Sequence, residues 1–326
     1  MANQFSFYFG IELELLIGSR SKNHKSWRAL ALEVSTKLKK AGIDNHINEG
    51  NDKSVDNYSE WSIVQEVTVP SQPGKNLWGL ELVSPIFELS SPWSSHLSVI
   101  FKTLKSSFVL SSSANTSTHI HLSTSPPLPP SCLGTLAKAA LYFEPALDHL
   151  LPPSRGTSYW CQSNHANPGL KNVPLADCFT YMDYCSSASD VARAMCLFPA
   201  HSAYGQANGF ESDFVHGVYK WDFSGVADPA SCLTSNPSPS GTVEYRQCPG
   251  SGGADEARTW AMLALGFVTG ALDNAGTIDP GEPVGMEDLW WTVSSGLQAL
   301  GFGAADMRGV ERLFSVPSGK GKGSKK

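Results

Sequence analysis

Glu12 and Glu14 stand two residues apart in the stretch Phe9-Gly10-Ile11-Glu12-Leu13-Glu14-Leu15. Apolar residues alternate there at period two, which predicts a strand with Phe7, Phe9, Ile11, Leu13 and Leu15 on one face and both carboxylates on the other. At the standard rise the two carboxylates lie roughly 7 Å apart along the strand. Like charges that close in a half-buried sheet repel, and both lose hydration, unless a cation or a shared proton compensates. One such strand, taken alone, reads as a wet edge. The pattern recurs, however, with Glu66 in 61–69, Glu81 in 78–85, His119 and His121 in 118–123, and Glu244 with Arg246 in 241–247, each set opposite an apolar face. Hard oxygen donors in this number, with few imidazoles and no thiolate, suit Mg²⁺ or Mn²⁺ better than a closed zinc site. An arginine two residues from a metal ligand suits a phosphoryl group in transfer. The chain has no GxxxxGK[ST] motif, so any nucleotide would be held by the sheet itself.

These side chains need a frame to bring them together. The simplest is α+β: one antiparallel sheet with helices packed on its apolar face and its polar face lining a cleft. Helical spacing is read at 26–42, ended by Gly42, at 93–108 and at 131–151, and further helices follow the glycine-rich 249–253 and cover 286–302. Backbone amides at that glycine-rich helix start could hold phosphate, or the segment is simply a turn. The segment 45–59 reads as polar turns, 111–117 as a connection, 219–223 as a strand and 235–241 as a Pro/Ser turn. Between 152 and 213 the periodicity fades. There, Pro153 to Asn164 mixes Arg155 with aromatics and amides, as either a substrate-facing loop or an ordinary surface connection would. Residues 1–317 are read as one catalytic domain, followed by a disordered Gly/Lys/Ser tail at 318–326.

Composition narrows the function. A formal charge of −6 argues against nucleic acid as a partner. No run approaches the ~20 apolar residues that span a bilayer, and the N-terminus lacks the basic region of a signal peptide. The cysteines are odd in number and form no CxxC pair, so the expected setting is reducing and cytoplasmic.

The motifs Gly10-Ile11-Glu12-Leu13-Glu14, Gly79 to Pro85, Thr118-His119-Ile120-His121 and Gly241 to Gln247 together resemble those of the amidoligase family. That family lies in the carboxylate-amine ligase superfamily with glutamine synthetase and glutamate-cysteine ligase. Tyr159-Trp160-Cys161 through Asn164 and Trp221-Asp222-Phe223 are most similar to its fungal members. The resemblance implies a glutamine synthetase-like catalytic fold and transfer of the ATP γ-phosphoryl to a carboxylate, followed by attack of an amine on the acyl phosphate. It implies one metal shared by Glu12, His119 and Glu244, and another held by Glu14, Glu66 and Glu81. Arg246 would stabilise the transferring phosphoryl, His121 would lie near the nucleotide phosphates, and Arg155 and Asn164 would meet the small-molecule or peptide substrates. Three departures stand out: Glu66-Val67-Thr68 replaces Asp-x-Ser, Ser117-Thr118 replaces a glycine before HxH, and Arg155 is single where a pair is usual. A metal-dependent hydrolase and a catalytically degenerate binding protein are the competing expectations. The sequence leaves the oligomeric state open.

Overall fold

In chain order the strands are β1 (Ser6–Ser19), β2 (Asn45–Ile47), β3 (Trp61–Gln65), β4 (Trp78–Val83), β5 (Phe87–Glu88), β6 (Phe108–Ser111), β7 (Ser117–Ser125), β8 (Leu197–Phe198), β9 (Phe214–Val215), β10 (Trp221–Asp222) and β11 (Val243–Pro249). The helices are α1 (Trp27–Lys40), α2 (Trp93–Ser107), α3 (Pro130–His149), α4 (Leu175–Tyr184), α5 (Ala188–Cys196), α6 (Ala203–Ala207), α7 (Ala254–Asp273), α8 (Met286–Ala299) and α9 (Ala304–Ser315). The computed structural model describes residues 4–50, 52, 58–236, 240–274 and 276–315. The expected tail at 318–326 and the centre of the Pro/Ser turn, 237–239, lie outside the described residues.

The fold is α+β, as the alternation predicts. Its main sheet runs β10-β11-β7-β1-β4-β3-β2, with β5 and β6 pairing on the two ends of β1. All of its described pairings are antiparallel except that of β2 with β3. Register follows from burial, because a slip of one residue would turn every core side chain to the other face. Ile11 thus sits opposite Ile120, Leu13 opposite Leu82 and Leu15 opposite Leu80, all buried. Against this face pack α1, α2 and α7, with α8 and α9 against α7 and α4 and α5 against α3. α1 shows the local logic. The Ser26 hydroxyl accepts the N–H of Ala29 at its start, Leu30, Ala31, Val34 and Leu38 face the core, and three lysines occupy the last turn. Gly42 then turns the chain at φ +85°, a left-handed conformation that side chains resist.

Several expectations need correction. Asn45–Ile47 is not a turn but the parallel edge strand β2. β3 stops at Gln65, so Val67 and Val69 do not share a face: Val67 is 77% exposed and Val69 only 1%. Ser111 belongs to β6 and Ser117 to β7, which shortens the connection between them. The region of faded periodicity holds α4, α5 and α6, and α9 follows the last expected helix.

A small aromatic layer beside the main sheet contains His216, stacked on Tyr204 with ring centroids 4.2 Å apart. Its Nδ1 meets the Ser235 hydroxyl at 2.8 Å. Burial, aided by the charge of Arg246, lowers its pKa from the ordinary 6.5 to about 4. The folded protein therefore binds fewer protons than the unfolded chain between these values, and this contribution to stability is complete above 6.5 and lost as pH falls toward 4. His216→Gln is expected to flatten the fall in urea-unfolding free energy between pH 7 and 4.5. A slope equal to that of the wild type would exclude His216 as a cause of acid sensitivity.

Candidate active site

The same register that aligns the core aligns the opposite face. Glu14 lies directly across from Glu81, Glu12 from His119, and His121 from Glu244. Four neighbouring strands thereby carry one continuous row of carboxylates and imidazoles. His119 Nδ1 is 3.1 Å from Glu12 Oε2 and 3.2 Å from Glu244 Oε1, and its Nε2 is 3.6 Å from Glu14 Oε1. His121 Nε2 is 3.1 Å from Glu12 Oε1 and 3.6 Å from Glu244 Oε1. Arg246 Nη1 donates to Glu244 Oε1 at 2.6 Å, and its Nε donates to the Trp160 carbonyl at 3.3 Å.

Glu66 reaches this row from the bend after β3. One of its oxygens accepts both the backbone N–H of Thr68 at 2.6 Å and the Thr68 hydroxyl at 2.5 Å. That closed turn is what a shorter Asp-x-Ser would also form, so the longer glutamate is folded back rather than extended. Gly79 makes room for it. A Cβ there would stand 2.4 Å from the Val69 carbonyl oxygen and 2.5 Å from that of Glu66. Gly79→Ala should therefore push the 66–69 bend off β4 and cost about 1–3 kcal/mol, as overpacking does. An unchanged denaturation midpoint would show that the bend tolerates displacement.

Among the described residues, three sets of ligand atoms lie within 4.8 Å of one another: Glu12, His121 and Glu244; Glu12, Glu81 and His119; and Glu14, Glu66 and Glu81. The donors are carboxylate oxygens and imidazole nitrogens, a set that suits a hard divalent cation. Glu14 gives a further sign of fit. It is only 5% exposed, yet its Oε2 has no hydrogen-bond partner, a costly state for a buried oxygen that a cation would relieve.

Charge is divided unevenly across the row. Burial pushes the Glu81 carboxyl up, and the charges of Glu12, Glu14 and Glu66 push it further, well above the usual range. Burial also raises Glu14, with Glu66 and Glu12 adding to it, although His119 pulls the other way. In Glu12 burial is outweighed by the charge of His121 and hydrogen bonds to both imidazoles, which hold it well below the usual range. Glu244 is lowered in the same way, with Arg246 as the main opponent of burial and then His121 and His119. Burial would lower His121, but Glu244 and Glu12 lift it to about 9. The Glu244 end is thus a paired ionic cluster, and the Glu81 end holds carboxyls with no cation among the residues of their set.

All of these groups except His121 and Glu244 line one cleft of about 960 Å³, open mouth included, whose wall also includes Ser117, Arg155, Ser158 and Trp160. Asn164 does not reach it. It is fully buried, with Nδ2 donating to the Met195 and Trp221 carbonyls at 3.1 and 2.9 Å and Oδ1 accepting from Trp221 N–H at 3.0 Å. The structure places Asn164 away from the cleft wall, and both polar atoms of its side chain hold β10 in place. Arg155 reaches the cleft wall, but its Nε and Nη2 donate to the carbonyls of Gln247 and Arg246 at 3.0 and 2.9 Å.

Sequence reasoning missed Thr242, whose hydroxyl lies 3.1 Å from His121 Nδ1 and fixes that ring. Its place two residues before Glu244, immediately ahead of β11, was the available signal. Asp222, whose place in Trp221-Asp222-Phe223 gives no sign of a role, sits directly across from Glu244. Burial, with Glu244 adding to it, raises its pKa.

Fold and site together define an α+β protein with an acidic, sheet-borne cleft built to compensate positive charge. The family model described as "Putative amidoligase enzyme" matches residues 6–172. Those 167 residues (172 − 6 + 1) are just over half of the 326 in the chain, and the protein belongs to this amidoligase family. The match spans Glu12, Glu14, Glu66, Glu81, His119, His121 and Arg155, while Glu244 and Arg246 come from beyond it. No curated protein matches the chain. The family name points to a ligase that forms amide bonds on small-molecule or peptide substrates. Among the described residues, no helix is long and apolar enough to cross a membrane.

Proposed function

We propose that the protein is an ATP-dependent carboxylate-amine ligase that works through an acyl phosphate in a Mg²⁺- or Mn²⁺-dependent site. The observation that carries this reading is the unbroken row from Glu81 through Glu14, Glu12 and His119 to Glu244, ending on Arg246. Glu14, Glu66 and Glu81 would hold one cation. Glu12 and Glu244 would hold another with His121, whose ligand atoms gather with theirs, while His119, expected in that set, gathers with Glu12 and Glu81. Bound cations would neutralise phosphate oxygens and orient the γ-phosphoryl.

The chain's own groups do the rest. Arg246 is kept charged by Glu244 and Asp222 against the effect of burial, and presents its guanidinium where charge on a transferring phosphoryl would develop. The substrate carboxylate attacks that phosphoryl and ADP leaves. The amine then displaces phosphate, giving the amide. Residues 1–317 would act as one catalytic unit on a glutamine synthetase-like plan of the fungal type. All seven cysteines are free, which supports a reducing, cytoplasmic setting.

The test is thermal unfolding with Mg·ATP, beside Mg²⁺ alone and ATP with chelator. Stabilisation that needs both components, about 2.7 kcal/mol at a hundred times the dissociation constant, is the expected result. Folded protein that does not respond in any condition would favour a binding protein on a degenerate site. Amide turnover without ATP would favour a hydrolase run in reverse.

A further inference from the structure

We infer that Arg155 is a positioning residue that sets Arg246 toward the cleft by clamping an irregularity in β11. The inference rests on the ligase reading for its consequence, though not for its geometry. Along β11 and β7, Glu244 pairs with His121 and Tyr245 with Ile120, but the next pair is Cys248 with Thr118. One extra residue is accommodated there, so Arg246 and Gln247 together face the place of His119. Such a bulge disrupts the ladder, bends the strand and re-aims a side chain. Arg155 is 3% exposed, and its fork donates to the carbonyls of these same two residues, 2.9 Å to Arg246 and 3.0 Å to Gln247.

The clamp has backing. Arg155 is tied down by its own carbonyl, which accepts from the Cys161 thiol at 3.1 Å. From the other side the Gln247 amide donates to Asp148, and Lys220 bridges Asp148 at 2.7 Å and Glu144 at 3.0 Å. The Lys220 carbonyl accepts the Arg246 N–H at 2.9 Å. The backbone at Arg246 is thus held from both sides, and Trp160, five residues after Arg155, takes its side-chain Nε. One short segment, 155–160, therefore grips both the backbone and the head group of Arg246. A rigid planar fork that spans two carbonyls is a task for arginine and not for lysine.

The experiment measures dissociation constants of Mg·ATP and Mg·ADP by calorimetry for wild type, Arg155→Met, Arg246→Met and the double variant. Amide hydrogen exchange is followed on the same proteins. The wild type is expected to prefer Mg·ATP about ten- to a hundredfold, the value of a charge-assisted contact to the γ-phosphoryl. Arg155→Met should lose that preference as fully as Arg246→Met, and the double variant should lose no more, since one residue acts through the other. Exchange at 244–248 should speed up about tenfold while β1 stays protected. A preference retained in Arg155→Met, or losses that multiply in the double variant, would overturn the inference. If the wild type binds neither nucleotide, the ligase reading fails on its own, and unchanged exchange at 244–248 would then overturn the clamp separately. Should Arg155→Met not fold, Arg155→Lys, which keeps the charge without the fork, is expected to lose most of the preference. Full retention there would overturn the inference.

Discussion

Glu244→Gln is expected to cut Mg·ATP-dependent ADP release by at least about a hundredfold, beyond what losing an outer partner of a metal costs, while leaving a folded protein. The carboxylate is the hub of one end of the row, beneath the cleft-lining His119 and Arg246, with Arg246 Nη1 at 2.6 Å, His119 Nδ1 at 3.2 Å and His121 Nε2 at 3.6 Å. Gln keeps its size and one acceptor oxygen but removes the charge that would bind a cation and that keeps Arg246 in place. Stability should fall by about 1–3 kcal/mol, as for a buried charge that has lost part of its partner. The loss stays moderate because Glu12 also faces both imidazoles. Steady-state assays and urea denaturation read the two effects separately. Retained turnover would remove Glu244 from the active site, whereas collapse of the fold would make its role mainly structural.

Glu81→Gln should have opposite effects with and without metal. In metal-free protein Glu81 is forced above its ordinary range first by burial and then by Glu12, Glu14 and Glu66. Because the folded-state pKa is raised, the folded protein keeps a proton that the unfolded chain has released. Its metal-free stability therefore falls as pH rises through the folded-state value. Gln cannot ionise, so in chelator at neutral pH the variant is expected to be more stable than wild type by about 1–3 kcal/mol. With Mg²⁺ the order should reverse, because a cation needs the ionised carboxylate and its stabilisation of the wild type grows with pH. Thermal melts from pH 6 to 8.5, with Mg²⁺ and with chelator, would show the crossing. A variant less stable in both conditions would mean that Glu81 does structural work instead.

Much of this was legible because burial imposes a period. In β1 a residue on the wrong face would bury a charge, so alternation alone revealed the strand, its core face and the two carboxylates. The helices at 27–40, 93–107 and 130–149 were equally readable from their apolar stripes. Other parts left no such trace. β2 is only three residues long, too short for an alternation to show. α5 spans only nine residues behind a capping box of Ser187 and Asp190, and its apolar stripe of Val191, Ala192, Ala194 and Met195 is short. Glu144 and Asp148 fall on α3 where charge normally marks a wet face, and only the fold shows Lys220 arriving to pair with them. Arg155 and Asn164 were noticed for their chemistry, but a loop side chain that grips backbone looks, in sequence, the same as one that grips a ligand.

β1 is joined on one edge by β4 and β5 and on the other by β6 and β7, and β11 reaches the row only through β7. During synthesis this order becomes a delay. The 232 residues from Glu12 to Glu244 take roughly ten to fifty seconds to translate at ordinary rates. Throughout that interval the first two carboxylates of the site exist on a nascent strand without the ion pair that completes it. The cleft is thus the last part of the sheet that can mature, and a ribosome-bound chain halted before β11 would carry nearly the whole amidoligase signature without the Glu244–Arg246 pair.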